Sequence, residues 1–226
     1  MNTGIIVAAG KSLRMGPKVD KAFLTLGAKP VLAYSLVAFE KCPDIDEVVV
    51  VVRKDRIEAA RSMAQMFGCA KVKRVLAGGA KRQVSVNNGL AAANEDTTIV
   101  AVHDGARPCV SPGLISDTIK AAKRYGSGVA AVPITDTVKF VERGQRVSKT
   151  LDRTKLWAAQ TPQAFRLDLL LKAFGTVRKK GLTVTDEASA VELVSKEVHL
   201  VPAFLTNVKI ATPDDLALAS ALLSAL

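Results

Sequence analysis

Two short stretches of this chain carry the residue types best able to do chemistry. The first is Ala8, Ala9, Gly10, Lys11, Ser12, Leu13, Arg14, Met15, Gly16, Pro17, Lys18, Val19, Asp20, Lys21, a polar loop that follows an apolar run. Its backbone amides can wrap phosphates, and Arg14 and Lys21 can neutralise charge on them. A solvated surface loop is the competing reading of any single lysine here. Two cations, a Gly at the strand exit and the position after the first strand together favour phosphate binding. Gly10, Lys11, Ser12 superficially suggest a Walker A loop, but that motif needs a Gly where Ile5 stands, and no G-x-G-x-x-G occurs. The second stretch is His103, Asp104, Gly105, Ala106, Arg107, Pro108. An Asp at a strand end is a hard oxygen ligand suited to a Mg²⁺ that is otherwise held by waters and substrate phosphates. An Asp that only caps a turn is the alternative. His103 has no second His or Cys at ligand spacing, which makes it a packed or hydrogen-bonded residue rather than a metal ligand.

These loops need a scaffold, and strand-length apolar runs alternating with helical periodicity predict one: an α/β domain with a mostly parallel sheet. Strands are expected at Thr3 to Ala9, Glu47 to Val52, Val72 to Leu76, Thr98 to Val102, Val129 to Pro133, Gln160 to Phe165, Val198 to Val201 and Val208 to Ile210. Helices are expected at Val31 to Lys41, Lys54 to Phe67, Gln83 to Ala93, Pro112 to the Gly126 stop, Arg166 to Lys180, Asp186 to Ser195, and after Thr212–Pro213. Ligands of such sheets gather at the C-terminal ends of strands, where both stretches fall. Thr137 to Leu151 differs: short alternating segments flank Arg143–Gly144 and read as a hairpin. Its few large apolar residues cannot form a core, so it is expected to pack on something else, such as a second subunit.

The whole chain, residues 1–226, reads as one domain with an arm at about 137–153, since neither repeat nor linker is visible. Apolar residues at 49% and only 15 Gly and 9 Pro exclude a disordered or collagen-like chain. No apolar run approaches the roughly 20 residues of a membrane span, and the N-terminus lacks a signal-peptide pattern, so a cytoplasmic location is expected. Cys42, Cys69 and Cys109 are odd in number and far apart, which argues against both a disulfide framework and a cysteine zinc site. A net charge of +11 invites a nucleic-acid reading, but the cations are dispersed and aromatics are only 4%, leaving little to stack bases. Small phosphorylated ligands are the better expectation, with no nucleic acid as partner.

Taken in order, Ala8, Ala9, Gly10, Arg14, Lys21, then Gly78, Gly79, Ser85, then His103, Asp104, Ala106, Arg107, Pro108, and then Asp136, Thr137, Lys139, Asp152, Arg153, Leu156, Trp157, Thr161, Pro162, Gln163, Thr185, Asp186, Glu187, Ala188, Asn207 and Lys209 form a pattern. In this order they resemble the 2-C-methyl-D-erythritol 4-phosphate cytidylyltransferase family of the non-mevalonate isoprenoid pathway, from about Thr3 to the C-terminal helix. The resemblance implies a Rossmann-like, mostly parallel sheet flanked by helices, with a projecting β-hairpin dimerisation arm. It also implies a CTP- and Mg²⁺-dependent transfer of a cytidylyl group to methylerythritol phosphate, with release of pyrophosphate, in a homodimer. By family position Arg14, Lys21, Arg153 and Lys209 would be catalytic. Ala8, Ala9, Gly10, Gly79, Ser85 and Asp104 would bind the nucleotide, with Asp104 also meeting the metal. Arg107, Thr137, Arg153, Thr161, Thr185 and Lys209 would bind the acceptor, Thr137 and Arg153 reaching in from the partner's arm. The chain departs from the family pattern at Ala80, an acidic residue in the family, at Gly105, an Ala, and at Asp20, a Pro.

The residues fit that chemistry on their own terms. A phosphate monoester is mostly dianionic at pH 7, since its second pKa is about 6, so no general base is required and the scarcity of His is no obstacle. The demand is for positioned positive charge. Without the resemblance, Thr185 to Ala188 would be an ordinary helix cap, Trp157 a packed residue at the base of the arm, and Lys209 a surface lysine. A cytidylyltransferase for another polyol phosphate such as ribitol 5-phosphate, and a non-catalytic nucleotide or RNA-binding module, are the competing functions.

Overall fold

The computed structural model describes residues 1–10, 12–16 and 19–224; Lys11, Pro17 and Lys18 of the first loop, and the side chain of Leu13, lie outside the described part. In chain order the elements are β1 (Asn2–Ala8), β2 (Thr25–Leu26), β3 (Lys29–Pro30), α1 (Val31–Lys41), β4 (Glu47–Val52), α2 (Ile57–Met66), β5 (Val72–Ala77), α3 (Arg82–Ala91), β6 (Ile99–Asp104), α4 (Pro112–Tyr125) and β7 (Ser127–Pro133). They continue with β8 (Lys139–Phe140), β9 (Lys149–Thr150), β10 (Trp157–Arg166), α5 (Leu167–Lys179), α6 (Glu187–Val191), β11 (Leu200–Pro202) and α7 (Pro213–Ser224).

Seven strands form one sheet in the order β11-β7-β10-β6-β1-β4-β5. All neighbours run parallel except β10, which is antiparallel to both β6 and β7. The pleat sorts the all-valine run of β4 by its period of two. Val48, Val50 and Val52 join Ile6 and Ala101 in a core with α1, α2 and α4. Val49 and Val51 join Ile5, Val7, Val100 and Val102 in a second core with α3, α5 and α6. Burial on both faces is why these strands read as continuous apolar runs, as helix-covered parallel strands do. A smaller cluster, Leu26, Val31, Ile210 and Ala219, seats α7 beside the start of α1.

The helix α4 begins as its sequence predicts: Ser111 Oγ accepts from Leu114 N at 3.2 Å, Pro112 sits in the first turn, and Gly126 caps the other end. Elsewhere the structure corrects expectation. Lys54–Arg56 is a separate 3₁₀ turn before α2. The helix expected at Asp186 to Ser195 stops at Val191, because the chain tightens into turns there, with Leu193 N donating to Ala190 O at 3.2 Å. Val208 to Ile210 is not a strand: Ile210 N donates to Ala106 O and Val208 N to Thr206 O, both at 2.8 Å, so these amides are spent on loop carbonyls instead of a ladder. The hairpin ladder is short, Lys139 opposite Thr150 and Phe140 opposite Lys149, and all four residues are exposed.

Candidate active site

The C-terminal ends of β1, β4, β5 and β6 open into one cleft of about 340 Å³. Its near wall is the loop after β1. Ser12 adopts a left-handed backbone (φ 53), and its Oγ accepts from Lys21 N at 3.3 Å, which folds the loop back on itself. Asp20 caps the one-turn 3₁₀ helix Lys21–Phe23 by accepting from Ala22 N at 3.3 Å. Its buried carboxylate faces Arg56 at 3.4 Å and Arg53 at 3.8 Å, from the turn after β4. Lys21 is thereby aimed into the cleft, and burial, then repulsion from Lys209, pushes its pKa below the ordinary 10.5.

The opposite wall is the β5 to α3 turn, where Ser85 Oγ accepts from Gly79 N at 3.1 Å and Gly78 N donates to Val52 O at 2.7 Å. A Cβ on Gly78 would lie 2.4 Å from the Ala9 Cβ and 2.6 Å from Ser85 Oγ, so only glycine lets the two walls approach. The same reasoning accounts for Gly105. A Cβ there would meet Leu32 Cδ1 at 2.9 Å and the Ala8 Cβ at 3.1 Å beneath the first loop.

The floor is Asp104, at the end of β6. Its Oδ1 accepts from Arg82 Nε at 2.9 Å and its Oδ2 from Lys209 Nζ at 2.5 Å, while its backbone N–H donates to Thr161 Oγ1 at 3.0 Å. Burial would raise the pKa of Asp104, but the attraction of Arg82 and then Lys209 outweighs it and holds the carboxyl well below the usual carboxylate range. His103 lies beneath, fully buried, with Nδ1 3.1 Å from Thr161 Oγ1 and Nε2 3.3 Å from Arg107 O; burial pushes its pKa down to about 3. It is a neutral structural group, as its isolation in the sequence implied. Among the described residues no three His, Cys, Asp or Glu side chains come together. A cation at this floor would therefore rest on Asp104 and on the oxygens of a bound phosphate, a donor set suited to Mg²⁺.

Comparison with known proteins gives this geometry a family. The model of the 2-C-methyl-D-erythritol 4-phosphate cytidylyltransferase family matches residues 3–225. The chain belongs to this family. The enzyme of that name from Pelotomaculum thermopropionicum is 42% identical over 98% of this chain and 93% of its own length. The one from Dehalococcoides mccartyi strain 195 is 44% identical over 97% and 94%. Among solved structures, a 4-diphosphocytidyl-2C-methyl-D-erythritol synthase from Anaerococcus prevotii superposes with a TM-score of 0.86 at 28% identity, covering 99% of this chain and 98% of that one. The cytidylyltransferase of Francisella tularensis gives 0.82 at 35% identity, covering 98% and 99%.

Of the residues singled out in the sequence, Ala8, Ala9, Gly10, Lys21, Gly79, Ser85, Asp104 and Lys209 line this one cleft. Arg14 is exposed on the 3₁₀ turn of the first loop, close enough to contribute to the lowered pKa of Lys21. Arg107 and Thr161 lie behind the floor. Arg107 is buried and donates to Asn207 O at 2.7 Å, and the Thr161 hydroxyl is engaged by Asp104 and His103. Thr185 is exposed beside α6, but Asp186, not Thr185, caps that helix, through Ser189 N at 2.9 Å. Thr137 and Arg153 are exposed on the arm and do not line the cleft of their own chain. Trp157, expected to be packed, is 41% exposed, because in β10 it pairs only with Pro133 at the sheet margin. Lys209 is no idle surface lysine.

Sequence reasoning missed Arg82, which lines the cleft and bridges Asp104 to Glu187, and apart from the family pattern it read Glu187 only as part of an ordinary helix cap. Its partners lie 22 and 105 positions away, so no local spacing could reveal the pairing.

Proposed function

We propose that this cleft transfers a cytidylyl group from CTP to 2-C-methyl-D-erythritol 4-phosphate and releases pyrophosphate, a step of isoprenoid precursor synthesis. The observation that carries the reading is the convergence of Lys21, Lys209 and Arg82 around Asp104, at the strand ends and between two amide-rich turns. A phosphate oxygen of the acceptor attacks the α-phosphorus of CTP, a new P–O–P linkage forms, and the bond to the β-phosphate breaks. The nucleophile is already anionic, so no proton has to be removed, consistent with a buried, neutral His103. The work of the protein is to bring two polyanions together and to stabilise charge at an in-line phosphoryl centre. Lys21 and Arg14 take that role at the α-phosphate. The turns at Ala8, Ala9, Gly10 and at Gly79, Ser85 hold the nucleotide, while Thr185 and Lys209 form the acceptor side, Arg107 backs it from behind the floor through Asn207 O, and Thr161 sets the height of Asp104.

A Mg²⁺ held by Asp104 and the nucleotide phosphates would supply further neutralisation of phosphate charge. The arm carrying Thr137 and Arg153 completes the site of a second copy in a homodimer. Support for this comes from its exposed, coreless ladder and from the position of Arg153 away from its own cleft. Among the described residues no helix is long and apolar enough to cross a membrane, and a CTP substrate fits a cytoplasmic location. Pyrophosphate release assayed with CTP and either methylerythritol phosphate or ribitol 5-phosphate tests the reading. Release with the first and not the second is expected; release only with the second reassigns the acceptor, and CTP binding without release with either leaves a binding module.

A further inference from the structure

Arg82 stands at the first position of α3 and belongs to none of the groups assigned above to phosphate or base. Three of the five N–H groups of its guanidinium are engaged. Nη1 and Nη2 meet Glu187 Oε1 and Oε2 at 2.5 and 3.0 Å, and Nε meets Asp104 Oδ1 at 2.9 Å. Glu187 is 1% exposed, so its carboxylate has been withdrawn from water and is compensated by this fork. Burial alone would depress the pKa of Arg82, but Glu187 and then Asp104 reverse the effect and hold it charged. The two oxygens of Asp104 are thus unequal. Oδ1 is clamped by a rigid, doubly anchored arginine, whereas Oδ2 meets a flexible lysine whose side chain is 40% exposed.

We propose that Arg82 is a positioning residue for cytidylyl transfer: with Glu187 as its anchor it fixes the Asp104 carboxylate so that Oδ2 alone exchanges partners as substrate arrives. The inference rests on the reading of Asp104 as a group that faces the nucleotide phosphates. Clamping one oxygen sets the plane of the carboxylate, and that plane decides where Oδ2 points. Lysine cannot replace the fork, because one ammonium cannot hold both Glu187 oxygens and Asp104 in this planar arrangement. Groups that orient a site carboxylate in this way typically affect affinity or activity by roughly 10–100-fold when altered.

The test is a double-mutant cycle on the full chain, with Arg82→Lys, Asp104→Asn and the pair, measuring kcat and the KM of each substrate, with thermal melts as a check on folding. Calorimetric binding of CTP with Mg²⁺ adds a readout that does not depend on turnover. Arg82→Lys keeps a positive charge beside Glu187 but not the fork, so it is expected to fold with a lowered melting temperature, to lose roughly 10–100-fold in kcat with a smaller change in the KM for CTP, and to weaken Mg²⁺-dependent CTP binding. In the Asp104→Asn background the same change should cost little more, because the carboxylate it orients is gone. Full activity in Arg82→Lys, or losses that simply multiply in the pair, would overturn the proposal. If Asp104→Asn itself is harmless, the reading of the floor fails instead, and the two failures are distinct. Should Arg82→Lys not fold, Glu187→Gln, which keeps one acceptor for Arg82, takes its place in the same cycle with the same outcomes.

Discussion

Lys21 Nζ donates to the backbone carbonyl of Ile210 at 2.7 Å, spanning 189 residues of sequence. The bond pins the ammonium between the loop after β1 and the segment that leads into α7. Burial and the nearby Lys209 lower its pKa below 10.5, so the alkaline limb of kcat/KM should fall at lower pH than an ordinary lysine would give. For stability the sign follows from the same shift. The unfolded chain holds this proton more tightly than the folded one, so charged Lys21 costs stability, and the cost fades as pH rises through the native pKa. Lys21→Ala should lower kcat by roughly 10²–10³ while changing CTP affinity much less, and Lys21→Arg should remove the alkaline limb. Turnover of Lys21→Ala within a few-fold of wild type would refute the assignment.

Asp104→Asn should reduce activity and raise the metal concentration needed for half-maximal rate, since a neutral amide is a poorer ligand for a hard ion. Because Arg82 and Lys209 outweigh burial and hold the carboxyl below 3.8, its contribution to stability is fully present above that value and is lost as pH falls through the lower, native pKa. The acid limb of activity between pH 4 and 6 should therefore be the same in both proteins, reporting protonation of the acceptor phosphate instead. Unchanged metal titration in Asp104→Asn would leave the residue as an ion-pair partner of Arg82 and Lys209 alone.

What could be read from the sequence was what depends on local pattern. The run Glu47 to Val52 and the cap, proline and glycine of α4 form as their spacing dictates, because burial on two faces and capping act within a few residues. Val208 to Ile210 misled for the same reason. Alternation there reflects Ile210 entering the small core under α7, while its backbone bonds to Ala106 rather than to a strand. The Arg82 to Glu187 pair was invisible because charged residues read as surface until a fold buries them together. Gly105 shows the converse: the departure was visible, but its cause, the close approach of Leu32 and Ala8, exists only in three dimensions.

The near contact of the two cleft walls at Gly78 can be tested directly. Gly78→Ala places a methyl group 2.4 Å from the Ala9 Cβ and 2.6 Å from Ser85 Oγ, so one wall has to move. The expected cost is about 1–3 kcal/mol of stability, read by denaturant titration, with a higher KM for CTP because Gly79 N and Ser85 lose their register. A variant as stable as wild type with an unchanged KM would mean that the walls are not in contact in solution.

The arm carries the last test. Lys139, Phe140, Lys149 and Thr150 form a ladder of two residue pairs with no core of its own, and Arg153 beside it donates to Thr135 O at 2.5 Å rather than entering its own cleft. A two-stranded hairpin is marginal alone, so in the homodimer proposed above it packs on the partner and delivers Arg153 to the partner's site. Arg153→Ala and Lys21→Ala subunits should then each be inactive alone. Mixed and allowed to exchange, they should regain activity, because one site of the heterodimer combines an intact Lys21 from one subunit with an intact Arg153 from the other. The gain is bounded at one working site per mixed dimer, and each mutant carried alone through the same exchange is the control. If heterodimers form and activity never returns, or if the protein sediments as an active monomer, Arg153 acts within its own chain and the arm has no catalytic role across subunits.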